Sequence, residues 1–154
     1  MRVLIIDDSE DFRLLAAQYL AIEWPAAEID EYDPLERGTP AGDFGWHAYD
    51  VLLLDYHLGV ADGLDGLSWL RNYRRVSGFP PVVFLTGAGS EEVAVQALKL
   101  GAADYLRKHD LSKARLIEAV NTALEERFPR MQSFHNADTL LSRGIQGGAA
   151  ARGG

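Results

Sequence analysis

The segment Val51–Asp55 constrains the fold more than any other part of this sequence. It consists of four aliphatic residues followed by one acid. A short continuous apolar run is typical of a strand buried on both faces or of a buried helix segment, and a length of five residues favours the strand. In open α/β sheets, ligands bind in the crevice beyond the carboxyl ends of the strands. The carboxylate of Asp55 is therefore predicted to lie at a functional site.

Four further short segments have strand character, at residues 3–6, 27–33, 82–86 and 103–106. The second is rich in acids, which suits the edge of a sheet rather than its centre. Helical spacing of apolar residues follows every strand except the second, where glycine and proline between residues 34 and 49 allow one or two turns at most. Asp62 is expected to cap the third helix and Ser112 the last. In the helix after the fourth strand, Val93, Ala97 and Leu98 are expected to lie on one side.

This alternation of strands and helices predicts an α/β fold. Right-handed crossovers leave few arrangements other than a parallel sheet with helices on both faces. We expect a flavodoxin-like, doubly wound sheet of five strands in the order 2-1-3-4-5. The first and third strands are neighbours in that order, so Asp7 and Asp8 are expected to converge with Asp55.

Composition restricts the class of protein. The 154 residues suit one domain with a tail, predicted as a domain at 1–129 and a Gly/Ala-rich tail at 130–154 with a short helix at 137–143. The formal charge of -8 disfavours direct binding to nucleic acid, and the absence of cysteine excludes disulfides and thiolate metal sites. The apolar runs are too short for a signal peptide or a membrane helix, which predicts a cytoplasmic protein. The tail is interpreted as a disordered linker or as a segment that docks on a partner or a second copy.

The predicted site has the groups needed for phosphoryl chemistry. Carboxylates 4 Å apart repel by roughly 4 kcal/mol per pair at an effective dielectric constant near 20, so a cation is expected among them. An all-oxygen set of ligands favours Mg²⁺. Thr86 and Lys108 follow strands that end on the same side, and they offer a hydroxyl and an ammonium group. Asp55 is therefore the candidate nucleophile, with the other groups binding the transferred phosphoryl oxygens.

An ordered set of motifs extends over residues 1–127. It comprises the acid pair after the first strand, the acid after the third strand, Asp-Gly-Leu at 62–64, Leu-Thr-Gly at 85–87 and Gly-Ala-Ala-Asp-Tyr-Leu-Arg-Lys at 101–108. In this respect the chain resembles the receiver domain of two-component response regulators. It departs from the usual pattern at His109, where the family usually has proline, and at Gly87, where alanine or serine is more usual.

The resemblance implies a role for each matching residue. Asp55 would accept a phosphoryl group from a histidine kinase or a histidine phosphotransfer protein. Mg²⁺ would be bound by Asp7, Asp8, Asp55 and the backbone carbonyl of His57, with Asp7 acting largely through a bound water. Lys108 would pair with the phosphoryl oxygens. Thr86 and Tyr105 would form the switch.

The resemblance also implies an output surface and leaves alternatives open. The surface would comprise the helix at 90–100, the fifth strand and the last helix, and it would bind an unknown downstream protein or a second copy. One alternative is a phosphohydrolase of the haloacid-dehalogenase type, which would need an acid where this chain has His57. The others are a pseudo-receiver that no longer accepts phosphate and the receiver part of a longer regulator.

Overall fold

The computed structural model describes residues 1–59, 65–87 and 91–128. The strands are Arg2–Ile6 (β1), Glu28–Tyr32 (β2), Val51–Asp55 (β3), Val82–Thr86 (β4) and Asp104–Arg107 (β5). The helices are Glu10–Glu23 (α1), Pro34–Arg37 (α2), Gly66–Tyr73 (α3), Glu91–Lys99 (α4) and Lys113–Arg127 (α5), with short 3-10 turns at Trp46–Ala48 and Lys108–Asp110. The tail at 130–154, with its predicted helix at 137–143, and the Asp-Gly-Leu motif at 62–64 lie outside the described residues.

The five strands form one parallel sheet in the order β2-β1-β3-β4-β5. This confirms the predicted flavodoxin-like order and places the acidic strand β2 at an edge. β3 lies between β1 and β4, in a register that pairs Leu54 with Ile6 and Asp55 with Leu85. The carboxyl ends of these three strands therefore lie side by side at one end of the sheet.

The sheet is covered on both faces by separate apolar clusters. Leu52 and Leu54 of β3 belong to the cluster on one side of the sheet, and Val51 and Leu53 belong to the cluster on the other. Every residue of β3 is buried. This double burial is the physical reason why the strand reads as an uninterrupted aliphatic run rather than as an alternating one.

Capping side chains fix where α1, α3 and α5 begin. The hydroxyl of Ser9 accepts from the amide of Phe12 and starts α1, and the hydroxyl of Ser112 accepts from the amide of Arg115 and starts α5, as predicted for Ser112. The prediction that Asp62 caps the third helix was wrong. The cap is Asp65, whose Oδ1 accepts from the amide of Ser68 at 2.9 Å.

The core face of α4 differs from the prediction. Ala94 and Ala97 are its buried residues, whereas Leu98 is 43% exposed and Val95 is 50% exposed. The partly buried Val93 packs against the apolar cluster that includes Ala97, as predicted. Leu98 therefore does not share the buried side of Ala97, contrary to the prediction.

Aromatic side chains cover the part of the sheet that the short helix α2 leaves open. α2 has only four residues, as the glycines and prolines of this region predicted. Trp46, in the following 3-10 turn, is 3% exposed and lies 4.6 Å from Phe44 and 5.1 Å from Tyr73 between ring centroids. These rings pack over the sheet face where a longer helix would otherwise lie. None of the helices within the described ranges is long and apolar enough to cross a membrane.

Candidate functional site

The predicted site residues lie together at the carboxyl ends of four neighbouring strands. Asp7 directly follows β1, Asp55 is the last residue of β3, Thr86 is the last residue of β4, and Lys108 directly follows β5. The amide of Asp7 donates to the carbonyl of Tyr32 at 3.2 Å, which continues the β1–β2 pairing past the end of the strand. Each residue lies at the carboxyl end of the sheet because its strand ends there.

Three carboxylates lie close together at the carboxyl end of the sheet. Asp7, Asp8 and Asp55 each offer one oxygen, and these oxygens all lie within 4.8 Å of one another. Asp7 is fully buried and Asp55 is 1% exposed, while Asp8 is partly exposed and forms the solvent side of the cluster. Buried carboxylates so close together repel unless cations or hydrogen bonds compensate them. This cluster has the composition of a site for a hard metal ion.

One ammonium group contacts the two buried acids. The Nζ atom of Lys108 lies 2.7 Å from Oδ2 of Asp7 and 3.1 Å from Oδ2 of Asp55. Burial lowers the pKa of Lys108, but these two carboxylates outweigh it and raise that pKa above its usual value. Lys108 is therefore charged at neutral pH, and it offsets one of the three negative charges.

The remaining negative charge is unfavourable in the buried part of the cluster. Burial, and next the nearby Asp7 carboxylate, raise the pKa of Asp55 to about 7, although Lys108 opposes this. Burial also raises the pKa of Asp7, against the opposing effects of Lys108 and of the Ser9 amide that donates to its Oδ1 at 2.8 Å. The Oδ1 atom of Asp55 is buried and has no hydrogen-bond partner within the described part of the chain. An additional cation at this oxygen would remove both penalties.

Thr86 connects the acid cluster to β5. Its side chain is 1% exposed, and its hydroxyl donates to the carbonyl of Leu106 at 3.4 Å. The neighbouring Tyr105 is partly buried against the apolar cluster on the α3 and α4 side, and its carbonyl accepts from Nη2 of Arg115 in α5 at 3.0 Å. A rearrangement of the Thr86 hydroxyl therefore has a direct route to β5 and α5.

The two histidines near the site project outward. The side chain of His57 is exposed and contacts the ring of Tyr56 edge-on, at 4.9 Å between centroids. His109 stands in the Lys108–Asp110 turn, and the peptide bond that joins it to Lys108 is trans. Lys108 reaches both buried carboxylates in this trans geometry. The metal-binding role of the His57 carbonyl stays a prediction.

Arg13 is a part of this site that the sequence analysis missed. It is 9% exposed, its Nη1 donates to the backbone carbonyl of Asp7 at 2.7 Å, and its Nε pairs with Glu31 at 3.0 Å. The guanidinium thus holds the end of β1 against β2 directly behind the acid cluster. A signal for it was present, because Arg13 is the only basic residue of the first helix and follows the core residue Phe12.

Gly66 is the second residue that was missed. A Cβ atom at this position would overlap the backbone carbonyl of Asp55 and lie 3.0 Å from the Cα of Tyr56. The amide of Gly66 donates to the carbonyl of Tyr56 at 2.8 Å, which holds α3 against the end of β3. The signal was a second Asp-Gly-Leu at 65–67, directly after the one at 62–64. This second copy is the one that begins α3.

Comparison with known proteins identifies the family. Residues 3–121 match the model of the response regulator receiver domain. The chain is 31% identical, over 140 residues, to the response regulator protein PilR of Pseudomonas aeruginosa, covering 91% of this chain and 30% of that protein. It is 36% identical, over 124 residues, to protein-glutamate methylesterase/protein-glutamine glutaminase 5 of Myxococcus xanthus, covering 77% of this chain and 33% of that protein. The chain thus spans about a third of the length of these relatives.

A solved structure agrees with the match to this family. The response regulator receiver domain protein from Clostridium thermocellum superposes with a TM-score of 0.63 at 26% identity, covering 82% of this chain and 95% of that one. The strand order, the three carboxylates and the matched residues lead to the same assignment. The chain belongs to the response regulator receiver domain family.

Proposed function

We propose that this receiver accepts a phosphoryl group on Asp55 in a Mg²⁺-dependent reaction. The observation that carries the proposal is the environment of Asp55. Its Oδ2 contacts Lys108 at 3.1 Å, while its buried Oδ1 has no hydrogen-bond partner among the described residues and belongs to the three-acid cluster. One oxygen thus faces a fixed cation, and the carboxylate as a whole still lacks a compensating charge.

The charges of the cluster fit a divalent cation. Three carboxylates and one ammonium group leave a net charge of about -2 when all of them are ionised, which a divalent ion neutralises. Asp7, Asp8, Asp55 and the His57 carbonyl would hold the ion. When bound, Mg²⁺ supplies charge neutralisation to the phosphoryl oxygens. Carboxylate and carbonyl oxygens are the ligands that suit this ion.

The proposed reaction uses three side chains of this chain. An oxygen of Asp55 attacks phosphorus, the bond between phosphorus and the donor's histidine nitrogen breaks, and the electron pair stays on that nitrogen. Lys108 supplies an ammonium group to the transferred oxygens, and Thr86 supplies a hydroxyl. Asp55 must be ionised to attack, and the cation at Lys108 favours this form by opposing the burial that raises the pKa of Asp55.

The proposed donor is a histidine kinase or a histidine phosphotransfer protein, as the receiver family implies. In this proposal the chain catalyses only its own phosphorylation and dephosphorylation and turns over no external substrate. One relative is named as a methylesterase, but that activity belongs to the longer protein and is not proposed for this chain. A cytoplasmic location goes with this proposal, because histidine kinases draw their phosphoryl groups from cytoplasmic ATP.

The proposed switch runs from Thr86 to the surface formed by α4, β5 and α5. A phosphoryl group on Asp55 would compete with the Leu106 carbonyl for the Thr86 hydroxyl, since the existing contact is long, at 3.4 Å. Loss of that contact would free β5 to shift, and Tyr105 would shift with it. The exposed Val95 and Leu98 of α4 supply apolar area for a downstream protein or a second copy.

The test is the mass of the intact protein after incubation with acetyl phosphate and Mg²⁺. Wild type should gain one phosphoryl group, and Asp55→Asn should gain none. Asp43→Asn is the matched control, because Asp43 is an exposed acid outside the cluster, and it should behave as wild type. Absence of any gain in wild type that binds Mg²⁺ would instead indicate a pseudo-receiver. Turnover of many phosphomonoesters would indicate a hydrolase.

A further inference from the structure

A cavity lies at the end of the sheet opposite the acid cluster, where β4 begins. We call it the arginine cavity because Arg74, Arg75 and Arg127 line it, and its volume is about 440 Å³. Its apolar lining comes from the end of α3, the start of β4 and the end of α4, and includes Leu70, Phe79, Pro80, Val82 and Leu100. Its charged lining consists of Arg74, Arg75, Arg127 and Glu126. The cavity is open to solvent, and its exposed lining is more polar than apolar because Leu70 and Val82 are themselves buried.

The charge of the cavity opposes the charge of the chain. Three arginines and one glutamate line it, a local charge of +2 in a protein whose formal charge is -8. Neither Arg74 nor Arg75 forms a salt bridge with a carboxylate in the described part of the chain. Arg37 and Arg71 form none there either, whereas Arg2, Arg13, Arg107, Arg115 and Arg127 do. Cations left without partners on an acidic protein favour an anionic ligand.

Contacts with the backbone hold two of these guanidinium groups in place. Nη1 of Arg74 donates to the carbonyl of Leu100 at 3.0 Å, and Nη2 of Arg127 donates to the carbonyl of His47 at 3.3 Å. Each bond uses one N–H of a group that has five, so further donors remain for a ligand. The two cations are therefore anchored by their own chain before any ligand binds.

Arginines near helix ends also have a simpler explanation, since cations stabilise the carboxyl ends of helices. This explains Arg74, which bonds a carbonyl just past the end of α4. It does not explain Arg75, which lies beyond the C-cap of α3 and is exposed, and it does not explain the apolar floor. A ligand with a charged head and an apolar body uses all of these features together.

We propose that the arginine cavity binds an organic anion, with a carboxylate or phosphate group at the guanidinium groups and an apolar body on the floor. Guanidinium matches both anions in bidentate geometry. The chain's own tail at 130–154 is a poor occupant, because three arginines against one aspartate give it a net charge of +2. The anion comes from a free small molecule or from an acidic segment of another polypeptide. This proposal does not depend on phosphorylation of Asp55.

The test is amide NMR of the full-length ¹⁵N-labelled chain titrated with benzoate and with phenyl phosphate. We expect saturable shifts at the amides of Val82, Leu100 and Gly101, and none there with benzyl alcohol, which has a similar size and no charge. The double variant Arg74→Gln/Arg75→Gln should weaken binding about tenfold. Arg71→Gln is the matched control, because Arg71 is an exposed arginine one turn earlier on α3 that does not line the cavity.

Three results would overturn the proposal: no saturable shift at these amides, equal shifts with benzyl alcohol, or equal weakening by Arg71→Gln. If the double variant fails to fold, Arg75→Gln alone serves, because Arg75 has no salt bridge among the described residues to lose. A peptide of four glutamates around one phenylalanine separates the two sources. Tighter binding of this peptide than of benzoate at the same amides supports an acidic polypeptide segment, and weaker binding supports a free small molecule.

Discussion

Replacing Asp55 by asparagine should stabilise the metal-free protein at alkaline pH. The Asp55 carboxylate is 1% exposed, and burial followed by the Asp7 carboxylate raises its pKa from 3.8 to about 7. Between these two pH values the folded state keeps a proton that the unfolded state has lost. Stability therefore falls as the pH rises through this window, and at pH 8 the folded protein contains an unfavourable buried charge. Asparagine has a similar shape and no charge at any of these pH values.

The size of the effect follows from the pKa interval. One pKa unit corresponds to about 1.36 kcal/mol, so the interval from 3.8 to about 7 corresponds to roughly 4 kcal/mol. Relative to wild type, Asp55→Asn should gain about this amount of unfolding free energy between pH 4 and pH 8. Addition of Mg²⁺ at pH 8 should raise the stability of wild type more than that of the variant, because the variant lacks one ligand carboxylate.

Urea unfolding with a chelator at several pH values measures this difference. Asp43→Asn is the control, since it removes an exposed acid and should track wild type at every pH. The reasoning would be refuted if Asp55→Asn were less stable than wild type at pH 8 without metal. It would also be refuted if the difference between the two proteins did not change with pH.

Three further substitutions test other contacts of the site. Gly66→Ala should lower the unfolding free energy by about 2 kcal/mol and slow phosphorylation by acetyl phosphate, since the added Cβ displaces the Asp55 carbonyl; Gly42→Ala, which has open space, should do neither. Arg13→Met should cost about 2 kcal/mol of unfolding free energy and weaken Mg²⁺ binding measured by calorimetry, because the Asp7 carbonyl loses its donor. Thr86→Ala should still gain a phosphoryl group by mass, but the amide of Tyr105 should shift less in NMR, because the contact from position 86 to Leu106 is already lost.

Each of these expectations has an outcome that contradicts it. Equal stability of Gly66→Ala and Gly42→Ala would mean that α3 can move away from β3 at little cost. Unchanged Mg²⁺ affinity in Arg13→Met would restrict Arg13 to a structural role. A full-sized Tyr105 shift in Thr86→Ala would mean that the signal reaches β5 by another route.

The sequence by itself was sufficient to predict the sheet and to place the site at the carboxyl ends of its strands. The short aliphatic runs at 3–6 and Val51–Asp55 favoured buried strands, and their alternation with helices led to the order 2-1-3-4-5 that the sheet has. The convergence of Asp7, Asp8 and Asp55 then followed from topology. The chemical roles of these residues remain proposals that phosphorylation must test.

Only the tertiary structure decided the features that depend on distance and burial between segments far apart in the chain. Sequence patterns singled out the Asp-Gly-Leu at 62–64, but the approach of Gly66 to the Asp55 carbonyl shows that the copy at 65–67 begins α3. They placed Leu98 on one side of α4 with Val93 and Ala97, whereas Leu98 is 43% exposed and Val93 packs against the apolar cluster. Sequence patterns showed Arg13 as the only basic residue of the first helix, but only the fold places it behind Asp7. The pKa of Asp55 belongs to the same class, because burial and the separation of charges exist only once the strands have assembled.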